Sequence, residues 1–328
     1  MEFLDLLWLG KPAWMWLAFI AVIITLLVLD LGVVNRKDHE IGVRESLKLS
    51  AFYIFVGLAF GGWVAWEMGR EAGVAYLTGF VVEKSLALDN VFVIAMIFAA
   101  FGVPREYQHR VLFWGILGVI VLRAVMIGLG AAMVEHISWT MYLFSAILIF
   151  TGIKMLMTVN EEQDVANSAL LRFLRRHLRV TERVEGHHFF VRRADKATGR
   201  SLLYVTPLFL ALVMIEIADV IFAVDSVPAI FAITTDPYLV YTSNIFAILG
   251  LRALYFALAA MVHRFHYLKY ALGALLVFIG GKILVADALG IGKVPPSISL
   301  GVTAVLLAGG IGWSMWKTRG DAPTPASA

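Results

Sequence analysis

Five carboxylates stand in stretches of this 328-residue chain that are otherwise apolar enough to cross a bilayer. Glu83 and Asp89 lie in Glu83-Lys-Ser-Leu-Ala-Leu-Asp-Asn90; Glu216, Asp219 and Asp225 lie in Met214-Ile-Glu-Ile-Ala-Asp-Val-Ile-Phe-Ala-Val-Asp-Ser226. A carboxylate at the middle of a membrane helix costs about 2.5 to 3.5 kcal/mol on insertion scales, so five facing lipid alone would cost roughly 12 to 18 kcal/mol. They must face an interior. In a straight helix Glu83 and Asp89 are about 9 Å apart along the axis and about 120° apart around it, whereas Glu83 and Asn90 share a face within about 20°. Asp219, Asp225 and Ser226 repeat that geometry. Either a regular helix presents Glu83 with Asn90 and Asp219 with Ser226, leaving each second Asp to another cavity wall, or the helix unwinds between its acids. Pro228 favours unwinding in the second stretch, since it removes a donor and crowds the carbonyl of Val224. Carbonyls freed by such a break are hard-cation ligands.

Two chemistries fit these acids. In one they are counter-ions of Lys84, Arg123 and Arg252 and hold helices together; in the other they form a cation site. Five acids against three bases leave a formal deficit of two positive charges, which a divalent cation or two protons would fill. The donors on offer are carboxylates, Asn90, Asn244, Ser226, Ser243 and backbone carbonyls, a hard oxygen set suited to Mg²⁺, Ca²⁺ or Mn²⁺. The chain has no cysteine, which excludes thiolate metal sites, disulfides and thiol redox chemistry. Its eight histidines fall in loops or at span ends, which argues against buried haem or His-based zinc. An oxyanion would be repelled by the acids. Arg123 and Arg252 read as structural partners of the acids, and Lys154 and Lys282 as snorkelling or pairing near span ends. Asp30 reads as an interfacial carboxylate or a cation relay. No nucleophile–base pair, Gly-rich phosphate loop or cofactor fingerprint is visible, so neither an enzyme nor a resident cofactor is expected.

The elements that must position these acids are membrane helices. The chain is 60% hydrophobic and 16% charged, with mean hydropathy +0.83, far from a soluble globular composition. Strand-sized alternating segments are absent, so the expected class is all-α and polytopic. Apolar runs of about 20 residues place nine spans near 13–34, 47–66, 74–100, 111–134, 138–158, 203–233, 238–262, 268–289 and 296–316. The intervening segments put 19 Lys and Arg on one side against Lys11, Arg70 and Lys293 on the other. By the positive-inside rule the N-terminus is outside and the C-terminus cytoplasmic. Acids at Glu2 and Asp5 and the lack of a small-residue cleavage site argue against a cleaved signal peptide. The hydrophilic insertion at 159–200 contains Ser168-Ala-Leu-Leu-Arg-Phe-Leu-Arg-Arg-His-Leu-Arg-Val180, where apolar residues segregate from Arg at helical spacing. That pattern fits an interfacial helix on anionic lipid, or a cytosolic linker with a solvated basic face; nucleic acid is not an expected partner. The tail at 317–328 reads as disordered.

The acidic stretches also belong to a repeat. Glu83-Lys-Ser-Leu-Ala-Leu-Asp-Asn90 aligns with Asp219-Val-Ile-Phe-Ala-Val-Asp-Ser226, Leu122-Arg-Ala124 with Leu251-Arg-Ala253, and Phe150-Thr-Gly-Ile-Lys154 with Phe278-Ile-Gly-Gly-Lys282. Each copy holds three spans, an odd number, so the second must cross the membrane in the opposite sense. Inverted repeats are a mark of secondary transporters with a midplane site. The expected organisation is N-terminal helices at 1–73, a first repeat at 74–158, the basic insertion at 159–200, a second repeat at 201–290, a last helix at 291–316 and the tail.

Taken with Thr234-Thr-Asp-Pro237, Ser243-Asn-Ile-Phe-Ala-Ile-Leu-Gly-Leu-Arg-Ala253 and His188-Phe-Phe-Val-Arg192, the two acidic motifs resemble the TerC family of bacterial membrane proteins, closest to its Alx branch, over about 13 to 316. The resemblance implies an inner-membrane protein of seven to nine helices, linked in Alx-like members to manganese export and alkaline induction. Other labels in the family refer to tellurium resistance and redox modulation. By match to the acidic motifs, Glu83, Asp89, Asn90, Glu216, Asp219, Asp225, Ser226 and Asn244 are the candidate cation-site residues, with Lys84, Arg123 and Arg252 as charge partners. The expected function is Mn²⁺ efflux with proton coupling; the alternative is a non-transporting scaffold or stress and pH sensor.

Overall fold

The computed structural model describes residues 5–29, 42–158, 169–194, 201–258, 267–290 and 294–318. The expectations for Asp30 and for most of the tail lie outside the described residues. A short hairpin, β1 (Leu7–Trp8) and β2 (Lys11–Pro12), precedes α1 (Ala13–Leu29), α2 (Val43–Glu67), α3 (Arg70–Ala100), α4 (Arg105–His136) and α5 (Thr140–Met157). A small unit of α6 (Ala169–His177) and the antiparallel pair β3 (Phe190–Ala194) and β4 (Ser201–Val205) follows. The chain continues through α7 (Pro207–Phe231), α8 (Pro237–Leu249), α9 (Leu251–Leu258), α10 (Leu268–Ala288) and α11 (Pro296–Lys317).

Six helices, α2, α4, α5, α7, α10 and α11, are long and apolar enough to cross a membrane, and α1 and α8 are shorter apolar helices. α3 has the length, but Glu83, Lys84 and Asp89 interrupt its apolar middle. Large apolar side chains stand on the outer surface, with Trp66 80% and Val305 72% exposed, the state of groups that hydrocarbon solvates. This is a multi-pass helical membrane protein.

Small residues set the helix spacing. Gly152 of α5 lies against Gly273 of α10, while Gly280 of α10 lies against Ser145 of α5, so the two helices run antiparallel in close contact. Without a hydrophobic drive between helices in lipid, such backbone approach is the main source of packing. α3 packs on α8, and α7 on α4. An aromatic cluster of Trp16, Phe19, Phe60, Tyr238 and Phe246 ties α1 and α2 to α8. α8 begins where Asp236 accepts from the Tyr238 N–H ahead of Pro237 and meets Lys11 at 2.8 Å; Pro at the first helical position wastes no donor.

Three expectations need correction. α7 continues through Pro228 without unwinding, because neighbouring helices hold its last turn: Phe231 packs against Phe144, and Val227 and Ile230 share its cluster. The span expected over 238–262 is broken at Gly250 instead. There the Lys84 amine donates to the Ala247 carbonyl at 3.0 Å, and a side chain entering the backbone ladder is a sufficient cause of a helix break. The apolar face of the 168–180 segment is not free for lipid: Leu171 is 2% exposed and, with Leu174 and Leu178, packs in the cluster of Phe98 and Phe101. Arg172, Phe173 and Arg176 remain exposed.

Candidate functional site

The centre of the molecule is Arg123 of α4, fully buried, between α3 and α7. Its Nε donates to Asp219 Oδ2 at 3.0 Å and its Nη2 to Asp219 Oδ1 at 2.9 Å. Its Nη1 donates to Glu83 Oε1 at 2.9 Å and also to the Ser226 hydroxyl. One guanidinium thus joins the two acids that open the matched motifs. The planar fork suits this work, since an ammonium could not take a carboxylate bidentately and still reach two further acceptors. Glu83 is 1% and Asp219 7% exposed, and removing one partner from such a buried cluster costs about 3 to 5 kcal/mol.

The regular-helix geometry puts Asp219 and Ser226 on one face, seven residues apart, and both meet Arg123. Asp225 points elsewhere: its Oδ1 accepts from the Thr151 hydroxyl at 2.8 Å. A cavity of about 340 Å³ beside Arg123 is lined by Glu83, Asp89, Asn90, Asp225 and Ser226, with Lys154 and Lys269 at the end where α5 finishes and α10 begins. A second, smaller space of about 40 Å³ lies behind Asn90 and Phe222, which line both, and reaches Asp219. Among the described residues no three acidic or histidine side chains cluster closely enough to hold a metal ion.

Two candidate residues, Glu216 and Asn244, neither bond Arg123 nor line its cavity. The Glu216 carboxyl is seated against Gly118 of α4, where any Cβ would overlap it, and neither of its buried oxygens has a hydrogen-bond partner. Asn244 of α8 is fully buried and its amide oxygen and nitrogen are both unpartnered, as is Glu83 Oε2. α3 and α8 run parallel, with Gly79 facing Ser243 and Lys84 reaching Ala247. Glu83 and Asn244 therefore lie within about one helical turn of the same level.

Of the expected charge partners, Arg123 meets two acids, whereas Lys84 gives its amine to a carbonyl and the Arg252 side chain lies outside the described residues. Lys282 donates to Ser299 at 2.9 Å. The sequence reading assigned nothing to Thr151, Lys269, Gly118 or Phe222. Thr151, Gly118 and Phe222 each lie inside a repeated motif, Phe150-Thr-Gly, Ile116-Leu-Gly118 and Asp219-Val-Ile-Phe222, which marks the segment but not the contact, and Lys269 is one more basic residue at a span end.

The family model for "Integral membrane protein TerC family" matches residues 68–322, enclosing every residue of this cluster. The chain belongs to the TerC family. An uncharacterized membrane protein of Myxococcus xanthus is 47% identical over 315 residues, 96% of this chain and 95% of its own length. A membrane protein of Rickettsia bellii is 48% identical over 296 residues, 90% of this chain and 95% of the relative. The Escherichia coli protein named "Putative membrane-bound redox modulator Alx" is 44% identical over 307 residues, 91% and 92% of the two chains. No solved structure matches. The TerC match begins at Met68, so α1 and α2 fall before it, while α3 to α11 lie within it.

Proposed function

We propose that this TerC-family protein is a secondary transporter that exports a hard divalent cation, Mn²⁺, from the cytoplasm across the bacterial inner membrane, with protons as the coupled ion. The observation that carries the reading is the convergence of Glu83 and Asp219, from two matched helices, on one buried point at the wall of a cavity lined by Asp89, Asn90, Asp225 and Ser226. Intramembrane carboxylates that face an interior mark ion pathways. The oxygen donors suit Mn²⁺ as well as Mg²⁺ or Ca²⁺; the family resemblance favours manganese.

The architecture we infer has nine crossings, with α1, α3 and the α8–α9 pair joining the six long apolar helices, the N-terminus outside and the C-terminus cytoplasmic. In this reading α3 to α5 and α7 to α10 are inverted repeats. The reciprocal contacts support it: Gly152 touches Gly273 and its counterpart Gly280 touches Ser145, the counterpart of Gly273, as a pseudo-two-fold axis between α5 and α10 requires. α3 on α8 is matched by α7 on α4. The exposed Arg172, Phe173 and Arg176 of α6 would meet anionic headgroups.

The test is Mn²⁺ flux in proteoliposomes with wild type, Asp89→Asn and Asp225→Asn. Wild type should move Mn²⁺ and both variants should lose at least about tenfold of the rate. A wild type that moves no divalent cation across a range of pH and gradients sinks the transporter reading, and folded variants with normal flux sink the site assignment. The pairing of both acids with Arg123 favours the second reading, a membrane scaffold or stress sensor, which predicts no flux at all.

A further inference from the structure

We propose that Arg123 is a tethered competitor of the transported cation: its guanidinium holds the acids of both matched helices until the cation displaces it. The proposal rests on the transporter reading above. Three of the candidate ligands, Glu83, Asp219 and Ser226, are taken by a cation built into the chain. Glu83 and Asp219 carry a formal charge of −2, which a divalent cation would cancel. Cation and guanidinium together would leave +1 in a place shut off from solvent, where an uncompensated charge is strongly unfavourable. Occupancy is therefore exclusive.

The exchange has somewhere to go. Arg123 also lines the cavity that holds Asp89 and Asp225, so a guanidinium leaving Asp219 finds carboxylates on that side. Glu83 lines the same cavity, and its Oε2 is a buried oxygen that Arg123 leaves unbonded, one acceptor at the exchange point that the guanidinium does not occupy. Arg123 would then reset the site after release, since the empty acids recover their counter-ion without solvent. If Arg123 holds the acids in about nine of ten molecules or more, the apparent cation affinity is weakened about tenfold or more from its intrinsic value.

Purified wild type, Arg123→Lys and Arg123→Gln in detergent test this by calorimetric titration with Mn²⁺ and by melting with and without the ion, alongside Mn²⁺ flux. The lysine variant keeps the charge but cannot grip three side chains, and should bind Mn²⁺ about tenfold tighter. The glutamine variant should melt well below wild type without Mn²⁺ and gain more from the ion than wild type does, the signature of a cation replacing the missing guanidinium. If wild type carries Mn²⁺ but the lysine variant binds no tighter and the glutamine variant gains no extra stability, Arg123 is a structural strut and this proposal alone falls. A lysine variant that does not fold even in saturating Mn²⁺ also overturns it, because a group that leaves in every cycle cannot be one the fold requires in place. If neither wild type nor variants bind or move Mn²⁺, the transporter reading falls with it.

Discussion

Two glycine notches occupy matched positions, Gly118 in Ile116-Leu-Gly118 of α4 and Gly250 in Ile248-Leu-Gly250 between α8 and α9, and they hold opposite charges. Gly118 receives the Glu216 carboxyl of α7, whose oxygens are buried and unpartnered. Gly250 receives the Lys84 amine of α3, which donates to the Ala247 carbonyl. Both notches exist because a missing Cβ lets a polar tip approach a helix backbone. Only the amine interrupts its host: α4 runs unbroken past Gly118, while the other helix is divided at Gly250. A donor can compete for a helix carbonyl, whereas a carboxylate finds no free N–H in a helix middle. Matched frames can thus carry unlike chemistry, and Glu216 is an acid whose carboxyl has no hydrogen-bond partner among the described residues.

The largest effect is expected at Gly118. Gly118→Leu should destabilise the protein by about 3 kcal/mol, because a side chain of that size overlaps the Glu216 carboxyl and must push it out of the notch; a near-normal melting curve would show that the notch is not filled as described. Gly250→Ala should cost less, about 1 kcal/mol, since the nearest obstacle at 2.5 Å is the tip of a flexible lysine. Combining it with Lys84→Met should recover part of that loss, and strict additivity in a double-mutant cycle would deny the contact. Thr151→Val removes the hydroxyl on Asp225 and should cost about 1 kcal/mol, read from the same melts. The smallest change is expected from Glu216→Gln, within about 0.5 kcal/mol of wild type, as the residue makes no hydrogen bond to lose; Mn²⁺ flux should nevertheless fall. A Glu216→Gln protein that melts several degrees lower would mean the carboxyl has a partner after all.

The period of the α-helix placed Asp219 with Ser226 and parted both from Asp225, and the contacts to Arg123 and Thr151 follow that division. Hydropathy located the long apolar helices within a few residues. Pro228 misled, because proline's effect on a helix depends on what packs beside the freed carbonyl. Leu171, Leu174 and Leu178 were legible as an apolar face, but whether that face meets lipid or protein is decided by where the neighbouring helices end. Lys84 was read as a partner for an acid and serves a carbonyl instead, since a level shift of a turn between two packed helices changes which group an amine can reach.

The features legible from residue order are local in origin. Apolar length dictates membrane residence, helical period dictates which acids share a face, and the cost of a charge in hydrocarbon dictates that this face turns inward. The tertiary structure alone decided the partners: Arg123 for both Glu83 and Asp219, Gly118 for Glu216, and a protein core for α6. Pairing depends on which helices touch and at what height. Those are set by close small-residue contacts such as Gly152 on Gly273, summed over residues far apart in the chain.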